Sequence, residues 1–212
     1  MTTHEPSQLQ TFESIAEALV RQGWSVTADF IPADLVRELA DEASELLEAG
    51  KLRTAGIGIG DKHHIDPAIR SDQTRWLDPL AASSRPQREC LSAFDALRLT
   101  LNRELQLGLF ELEAHFAAFP PGAFYRRHRD QQSGSNTRVV SCVLYLNTGW
   151  KADDGGQLRL YLDREQSANY QDVPPEGGTL VCFMSERFWH EVLPARRLRL
   201  SLTGWFRRRG SV

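Results

Sequence analysis

Three cysteines in 212 residues, Cys90, Cys142 and Cys182, are too few and too scattered for a disulfide framework, and none forms a CxxC pair. They fit reduced thiols that serve as small apolar residues inside helices or strands. No apolar run comes near the ~20 residues that span a bilayer, so no membrane partner is expected. The opening MTTHEPSQLQTFESIAEAL has no basic segment followed by an apolar one, which argues against a secretory signal. The expected location is cytoplasmic. Positive charge is not in excess either: a net charge of −3 gives no general attraction to nucleic acid. Repeats and low-complexity tracts are absent. What is present, 41% hydrophobic and 25% charged residues, is ordinary for a globular chain long enough for one domain with a substantial core.

The first half reads as helical. Ser7 can cap a helix with Phe12, Ile15, Ala16 and Leu19 on one face, stopping near Gly23. After a short apolar stretch from Trp24 to Ile31, Leu35, Leu39, Ala43, Leu46 and Leu47 recur at helical spacing up to Gly50. A third helix is expected over Pro86 to Leu107, with Leu91, Phe94, Leu97, Leu101 and Leu105 as its stripe. Between the last two lies the glycine-rich, polar stretch AGIGIGDKHHIDPAIRSDQTRW, long enough to suggest contact with substrate. Near Glu111 the period becomes two. Strands are expected at Leu112–Phe119, Phe124–His128, Arg138–Leu146, Leu158–Leu162, Thr179–Met184, Phe188–Leu193 and Leu198–Arg207, separated by PPG, SGSN, DDGG and PPEGG turns. The fold class is therefore α+β: a jelly-roll barrel over residues 111–212, with residues 1–110 as helical support and a substrate loop at about 55–76. In the last strand Leu198, Leu200, Leu202 and Phe206 point one way, and Arg199, Ser201, Thr203 and Trp205 the other. In Arg138–Leu146 the faces are Val140, Cys142, Leu144 and Leu146 against Val139, Ser141, Val143 and Tyr145. Two strands with one polar face each predict a polar pocket inside the barrel.

Into that pocket the pattern directs one set of side chains. His128 and Asp130 are separated by one residue, so in a strand both leave the same face about 6.5 Å apart. HxD alone is common by chance, but His190 falls in another strand candidate that can run beside the first. Two imidazoles and one carboxylate can occupy one face of an octahedral ferrous ion and leave the other positions open. No cysteine is near, which argues against structural zinc. Arg199 adds weight. Facing inward with no acid on its own strand face, it needs a counter-charge. A dicarboxylate ligand can supply one through a two-pronged hydrogen bond, with Tyr145 donating another.

The runs FYRRHRD, VLYLN and HEVLPARRLRLSLTGW resemble the ferrous-iron and 2-oxoglutarate-dependent dioxygenases. More narrowly, they resemble the prolyl hydroxylases of hypoxia-inducible factor and their bacterial relatives, over roughly Ala55 to Phe206. The resemblance implies a double-stranded β-helix in which His128, Asp130 and His190 are the catalytic iron ligands. It implies that Arg199 and Tyr145 bind the distal carboxylate of 2-oxoglutarate, that Thr203 supports it, and that Trp205 flanks the pocket near a substrate proline. Arg70, Asp72 and Trp76 look like the mobile loop that borders the family's peptide groove, and Arg138 like an arginine at the pocket mouth. The cofactors implied are Fe(2+), 2-oxoglutarate and dioxygen, with ascorbate as accessory reductant. The implied reaction couples decarboxylation of 2-oxoglutarate to hydroxylation of proline at its 4-position. The partner would be a protein presenting a proline-containing loop, with elongation factor Tu a candidate through the bacterial relatives. One departure stands out: the family's Tyr-Pro-Gly reads Phe119-Pro120-Pro121-Gly122 here, so a hydroxyl is missing or is replaced by Tyr125.

Rival readings use the same residues. A hydroxylase of a free amino acid or small molecule needs less rim than the long charged loop provides. A non-catalytic metal or 2-oxoglutarate sensor would not need all three ligands together with Arg199. A zinc hydrolase would need a general base, and would leave Arg199 without a purpose. His63-His64 point oppositely if extended, so they make a poor second metal pair, and His115 reads as a packed or surface residue. The basic clusters Arg126-Arg127, Arg196-Arg197 and Arg207-Arg208-Arg209 lack interleaved aromatics and read as solvated rim charge, which an acidic protein partner would also satisfy.

Overall fold

The computed structural model describes residues 7–58, 64–78, 84–131, 137–163 and 168–210. Helix α1 (Gln8–Arg21) starts at a capping box in which Ser7 and Gln10 exchange hydrogen bonds, and buries Phe12, Ile15, Ala16 and Leu19. Helix α2 (Ala33–Glu48) buries Leu35, Val36, Leu39 and Ala43, with Leu46 and Leu47 only partly covered. Helix α3 (Arg85–Leu105) is capped by Ser84 and carries Pro86 in its first turn, where a missing N–H has no consequence. Its Cys90, Leu91, Phe94, Leu97 and Leu101 follow the 3.6-residue period into the core. None of the helices among the described residues is long and apolar enough to cross a membrane.

Among the described residues, eleven strands form two antiparallel sheets. In chain order they are β1 (Trp24–Thr27), β2 (Arg53–Thr54), β3 (Gln73–Trp76), β4 (Glu111–Phe119), β5 (Tyr125–His128), β6 (Arg138–Tyr145), β7 (Leu158–Tyr161), β8 (Tyr170–Val173), β9 (Leu180–Met184), β10 (Trp189–Val192) and β11 (Arg199–Arg207). The larger sheet runs β1-β9-β6-β11-β4-β3-β2 and the smaller β5-β10-β7-β8. This is the expected jelly roll, with the expected strands within two residues of their bounds. The first half of the chain is less purely helical than its periodicity suggests, since β1, β2 and β3 extend the larger sheet. β2 is too short to show a period, and β8, with sequence YQDV, is an edge strand with little apolar character. The SGSN turn lies outside the described residues, as does part of the glycine-rich stretch.

Alternation along the strands separates two cores. Leu200, Leu202 and Phe206 of β11 pack with Cys142 and Leu144 of β6 against the three helices. On the opposite face, Ala117, Phe119, Val143, Tyr145 and Phe183 meet Leu158, Leu160 and Val192 of the smaller sheet. Val139 departs from the expected parity and joins the helix-side core. The β6–β11 register slips between Phe206 and Arg207, and the extra residue this leaves in β6 turns Val139 over. Asn147 fixes the start of β11 by accepting from the Leu200 N–H at 2.6 Å and donating back to its carbonyl at 3.1 Å.

Phe206 is fully buried and meets Phe94 edge-on at 6.3 Å between ring centroids. Phe206→Ala is expected to cost about 3–5 kcal/mol, read as a lower urea midpoint at unchanged slope. Val20→Ala, on a residue 70% exposed, should stay within about 0.5 kcal/mol. Equal shifts for the two would show that the helices do not pack on this face of β11.

Candidate active site

Antiparallel pairing of β5 with β10 sets His128 directly opposite His190. Asp130 lies in the bend two residues past His128, so the HxD pair straddles the end of the strand instead of sitting within it. The bend still returns the carboxylate to both rings: Asp130 Oδ1 is 3.6 Å from His128 Nε2, and Oδ2 is 3.6 Å from His190 Nε2. One ligand atom from each residue lies within 4.8 Å of the others. Three cis donors about 2.1 Å from one ion would stand ~3 Å apart, so a small contraction completes the set.

The tautomers suit ligation. His128 Nδ1 faces the Arg126 carbonyl at 2.7 Å and His190 Nδ1 the Phe188 carbonyl at 3.3 Å, which directs both Nε2 lone pairs toward Asp130. Burial lowers the His190 pKa to about 4, with His128 adding to the effect. For Asp130 burial acts to raise the pKa, but the two imidazoles and Ser141 outweigh it and hold the carboxyl below its usual range. The Ser141 hydroxyl donates to Asp130 Oδ2 at 2.6 Å and pairs with the Ser185 hydroxyl at 2.8 Å, both serines being buried. Ser141 was visible in the sequence only as a polar residue on the inner face of its strand. Ser185, beyond the end of β9, gave no signal.

A cavity of about 580 Å³ opens from this cluster and ends at Arg199. Arg199 is 1% exposed, and burial lowers its pKa. Its Nε donates to the Gly156 carbonyl at 2.9 Å, and among the described residues no carboxylate forms an ion pair with it. Gly156 has φ +70°, and a Cβ there would stand 3.2 Å from Arg199 Cδ and 2.9 Å from Ala195 Cβ. Glycine is therefore the residue that admits the arginine. The guanidinium lies 4.9 Å from the Phe119 ring centroid and 5.0 Å from that of Tyr145. Among the described residues, the buried Tyr145 hydroxyl and Trp205 Nε1 have no hydrogen-bond partner. Burial pushes the Tyr145 phenol up to about 12 against the opposing pull of Arg199, so it remains a donor at neutral pH.

Residues 114–207 match the family model of the 2OG-Fe(II) oxygenase superfamily. The chain is 47% identical to a prolyl-4-hydroxylase of Pseudomonas putida whose crystal structure superposes with a TM-score of 0.84, covering 93% of this chain and 100% of that one. It belongs to the prolyl hydroxylase branch of the 2-oxoglutarate and ferrous-iron oxygenases. Human Egl nine homolog 1 is 30% identical over 208 residues, which are 95% of this chain and 47% of that protein. The chain spans about half the length of the curated relatives it matches first. A Trichoplax adhaerens prolyl hydroxylase in complex with a hypoxia inducible factor oxygen degradation domain peptide fragment, 24% identical, shares the fold at a TM-score of 0.82 over 96% of this chain and 94% of that one. Oxygenases of this family use ferrous iron, 2-oxoglutarate and dioxygen. The donor set of two imidazoles and a carboxylate suits ferrous iron, and the buried guanidinium with the orphaned Tyr145 hydroxyl beside it suits a carboxylate co-substrate.

The other residues assigned to the site from the sequence, Tyr145 apart, line the same cavity: Thr203 and Trp205 on β11, Arg138 on β6, Trp76 on β3 of the same sheet, and Arg70 and Asp72 just before that strand. Their bonding is more specific than solvated surface charge. Arg70 forks onto Asp72 at 2.8 and 2.6 Å, Asp72 is fully buried, and the guanidinium covers the Tyr125 ring at 4.1 Å. Tyr125 in turn stacks on His128 at 3.5 Å. Arg138 pairs with Glu113 at 2.8 Å and lies 3.7 Å over the Trp205 ring. His115 is buried as a packed residue against Trp76 and Trp205, and burial together with Arg70 lowers its pKa to about 4. His64 pairs with Ile57 through the backbone, and His63 lies outside the described residues. Among the basic clusters, Arg207 pairs with Glu111 and Glu113, Arg197 with Asp154, and Arg127 covers the Tyr161 ring.

Ser141→Ala is expected to weaken cobalt(II) binding to the metal-free protein about tenfold, measured by the visible d–d absorption of the ion. Ser141→Thr, which keeps the hydroxyl, should restore it. Unchanged affinity in the alanine variant would show that the hydroxyl does not orient Asp130.

Proposed function

We propose that this protein is a protein prolyl 4-hydroxylase, coupling oxidative decarboxylation of 2-oxoglutarate to succinate and carbon dioxide with hydroxylation of a proline in a partner protein. The observation that carries this reading is a buried guanidinium without a carboxylate partner at the end of a cavity whose middle holds a His–Asp–His set, in a chain similar throughout to the Pseudomonas putida prolyl-4-hydroxylase. His128, Asp130 and His190 would hold ferrous iron, which when bound supplies the activation of dioxygen. Arg199 would take the distal carboxylate of 2-oxoglutarate on its free fork, with Tyr145 donating a second bond and Thr203 standing two residues from Ser201 on the same wall. Phe119 brings a ring to the guanidinium where relatives offer a phenol, and Tyr125 supplies the hydroxyl-bearing ring nearest the histidines.

The rim supports a macromolecular substrate over a small one. Trp76 is half exposed beside Trp205, and the Arg70–Asp72 and Arg138–Glu113 pairs brace the two sides of the opening. Arg70, Asp72, Trp76, Arg138 and Trp205 would border the segment that carries the proline. Elongation factor Tu is the candidate target, from the resemblance to bacterial members of the family, ascorbate is the accessory reductant the family implies, and the cytoplasm is the proposed location.

Anaerobic titration with ferrous iron and 2-oxoglutarate should give a weak visible charge-transfer band that His128→Ala and Asp130→Ala each abolish together with turnover. A band of full intensity in either variant would remove that residue from the ligand set. Arg199→Ala should raise the KM for 2-oxoglutarate about 100-fold, the loss expected for a buried charged hydrogen bond, while ferrous affinity stays within about twofold. Incubation with purified elongation factor Tu should add 16 Da to one proline, read by mass spectrometry; a lysate in which another protein alone is shifted would reassign the target.

A further inference from the structure

Six cationic side chains line the cavity and its opening, against two carboxylates, in a chain whose net charge is −3. Both carboxylates are engaged, Asp72 with Arg70 and Asp130 with the two histidines. Arg138 is held by Glu113, and Arg199 sits at the closed end. Lys51, Arg53 and Arg75 remain. All three are exposed and none forms an ion pair among the described residues, but Arg75, opposite Phe116 of the helix-side core, leaves β3 on the other face, so Lys51 and Arg53 are the free cations at the opening.

Their placement follows from the sheet. Arg53 stands opposite Thr74 and Thr74 opposite Ala117, whose side chain packs between the two sheets, so Arg53 leaves β2 on the cavity side. Lys51 precedes it by two residues. β2 is the outermost strand of the larger sheet, and an extended segment can lie along such an edge with its alternate side chains meeting this wall. Trp76, 52% exposed, offers the apolar platform on the neighbouring strand.

We propose that the segment received by this opening is acidic: an extended stretch of the partner protein with Asp or Glu beside the residue that enters the cavity, held by Lys51 and Arg53. The proposal deepens, and rests on, the reading of the site as a protein hydroxylase. A nucleic acid is the less suitable polyanion. Two cations on one wall do not track a phosphate backbone, and the chain as a whole repels one. An edge strand beside an indole suits a peptide main chain.

The test uses two synthetic peptides with one central proline, one flanked by Asp and Glu, the other by Asn and Gln at the same positions. Binding to the protein loaded with ferrous iron and 2-oxoglutarate is measured anaerobically by fluorescence anisotropy. The acidic peptide should bind roughly fivefold tighter at low salt, a gap that narrows as ionic strength rises. Lys51→Glu with Arg53→Glu should reverse the preference, while the charge-transfer band and the thermal midpoint stay unchanged and report an intact fold and site. Equal affinity for both peptides, a preference that survives the double variant, or tighter binding of a single-stranded RNA oligonucleotide would each overturn the proposal. Mass spectrometry after admission of air separates the two readings. Oxidised proline without charge preference overturns the acidic segment alone, whereas charge preference with no oxidation of proline keeps the docking surface and overturns the hydroxylase.

Discussion

The site depends on a positive charge buried without a negative one. A guanidinium withdrawn from water costs several kcal/mol unless it is paired, and the arrangement around Arg199 reduces that cost without cancelling the charge. One donor is satisfied by the Gly156 carbonyl, and the rings of Phe119 and Tyr145 face the guanidinium. None of these is an anion. Among the described residues the charge therefore stays uncompensated, and the Tyr145 hydroxyl on the same side is unsatisfied as well. Strain-free placement of so large a side chain also requires Gly156, because any Cβ there would collide with the Ala195 side chain.

The metal-binding end follows a different logic. There the donors are brought together by strand register and kept apart from competing bonds. The β5–β10 pairing puts His128 and His190 face to face, each Nδ1 is occupied by a backbone carbonyl, and Ser141 engages one oxygen of Asp130. The Nε2 atoms of both imidazoles thus converge, burial favours the neutral form of His190, and the carboxylate is kept ionised, which suits a cation. Packing fixes the rings further: Tyr125 stacks on His128 and Phe183 meets His190 edge-on. Tyr125 also carries Arg70 on its other side, so the rim and the metal end share a wall.

Much of this was legible in the residues because two periodicities report on burial directly. The 3.6-residue stripe of Phe94, Leu97 and Leu101 fixed the buried face of α3, and the two-residue alternation of Leu200 and Leu202 against Arg199, Ser201 and Thr203 identified β11 as the partition between core and cavity. Features without a period were hidden. A two-residue strand such as β2 shows no alternation, so Arg53 could not be assigned to a face. Ser185 and Asn147 act from positions just past strand ends, where only tertiary hydrogen bonds give a polar side chain its meaning. The bulge that inverts Val139 is equally silent, since an extra residue leaves no trace in hydropathy. The ion pairs of Arg70 with Asp72 and Arg138 with Glu113 needed coordinates to distinguish them from surface charge.

β11 ties stability and chemistry together through its two faces. Leu202 and Phe206 are fixed by the helices, and one residue away on the opposite face stand Thr203 and Trp205 in the cavity. A register slip of one position would exchange the faces, burying Arg199 among leucines and exposing Phe206 to the ligand space. The hydrophobic face thus sets the register that the polar face requires, and Asn147 locks it at the first residue where a slip could begin, by bonding both backbone groups of Leu200. Helices on the far side of the sheet from the cavity therefore still decide where the guanidinium points. The depth of the cavity is a consequence of how α1, α2 and α3 pack on the far side of the sheet.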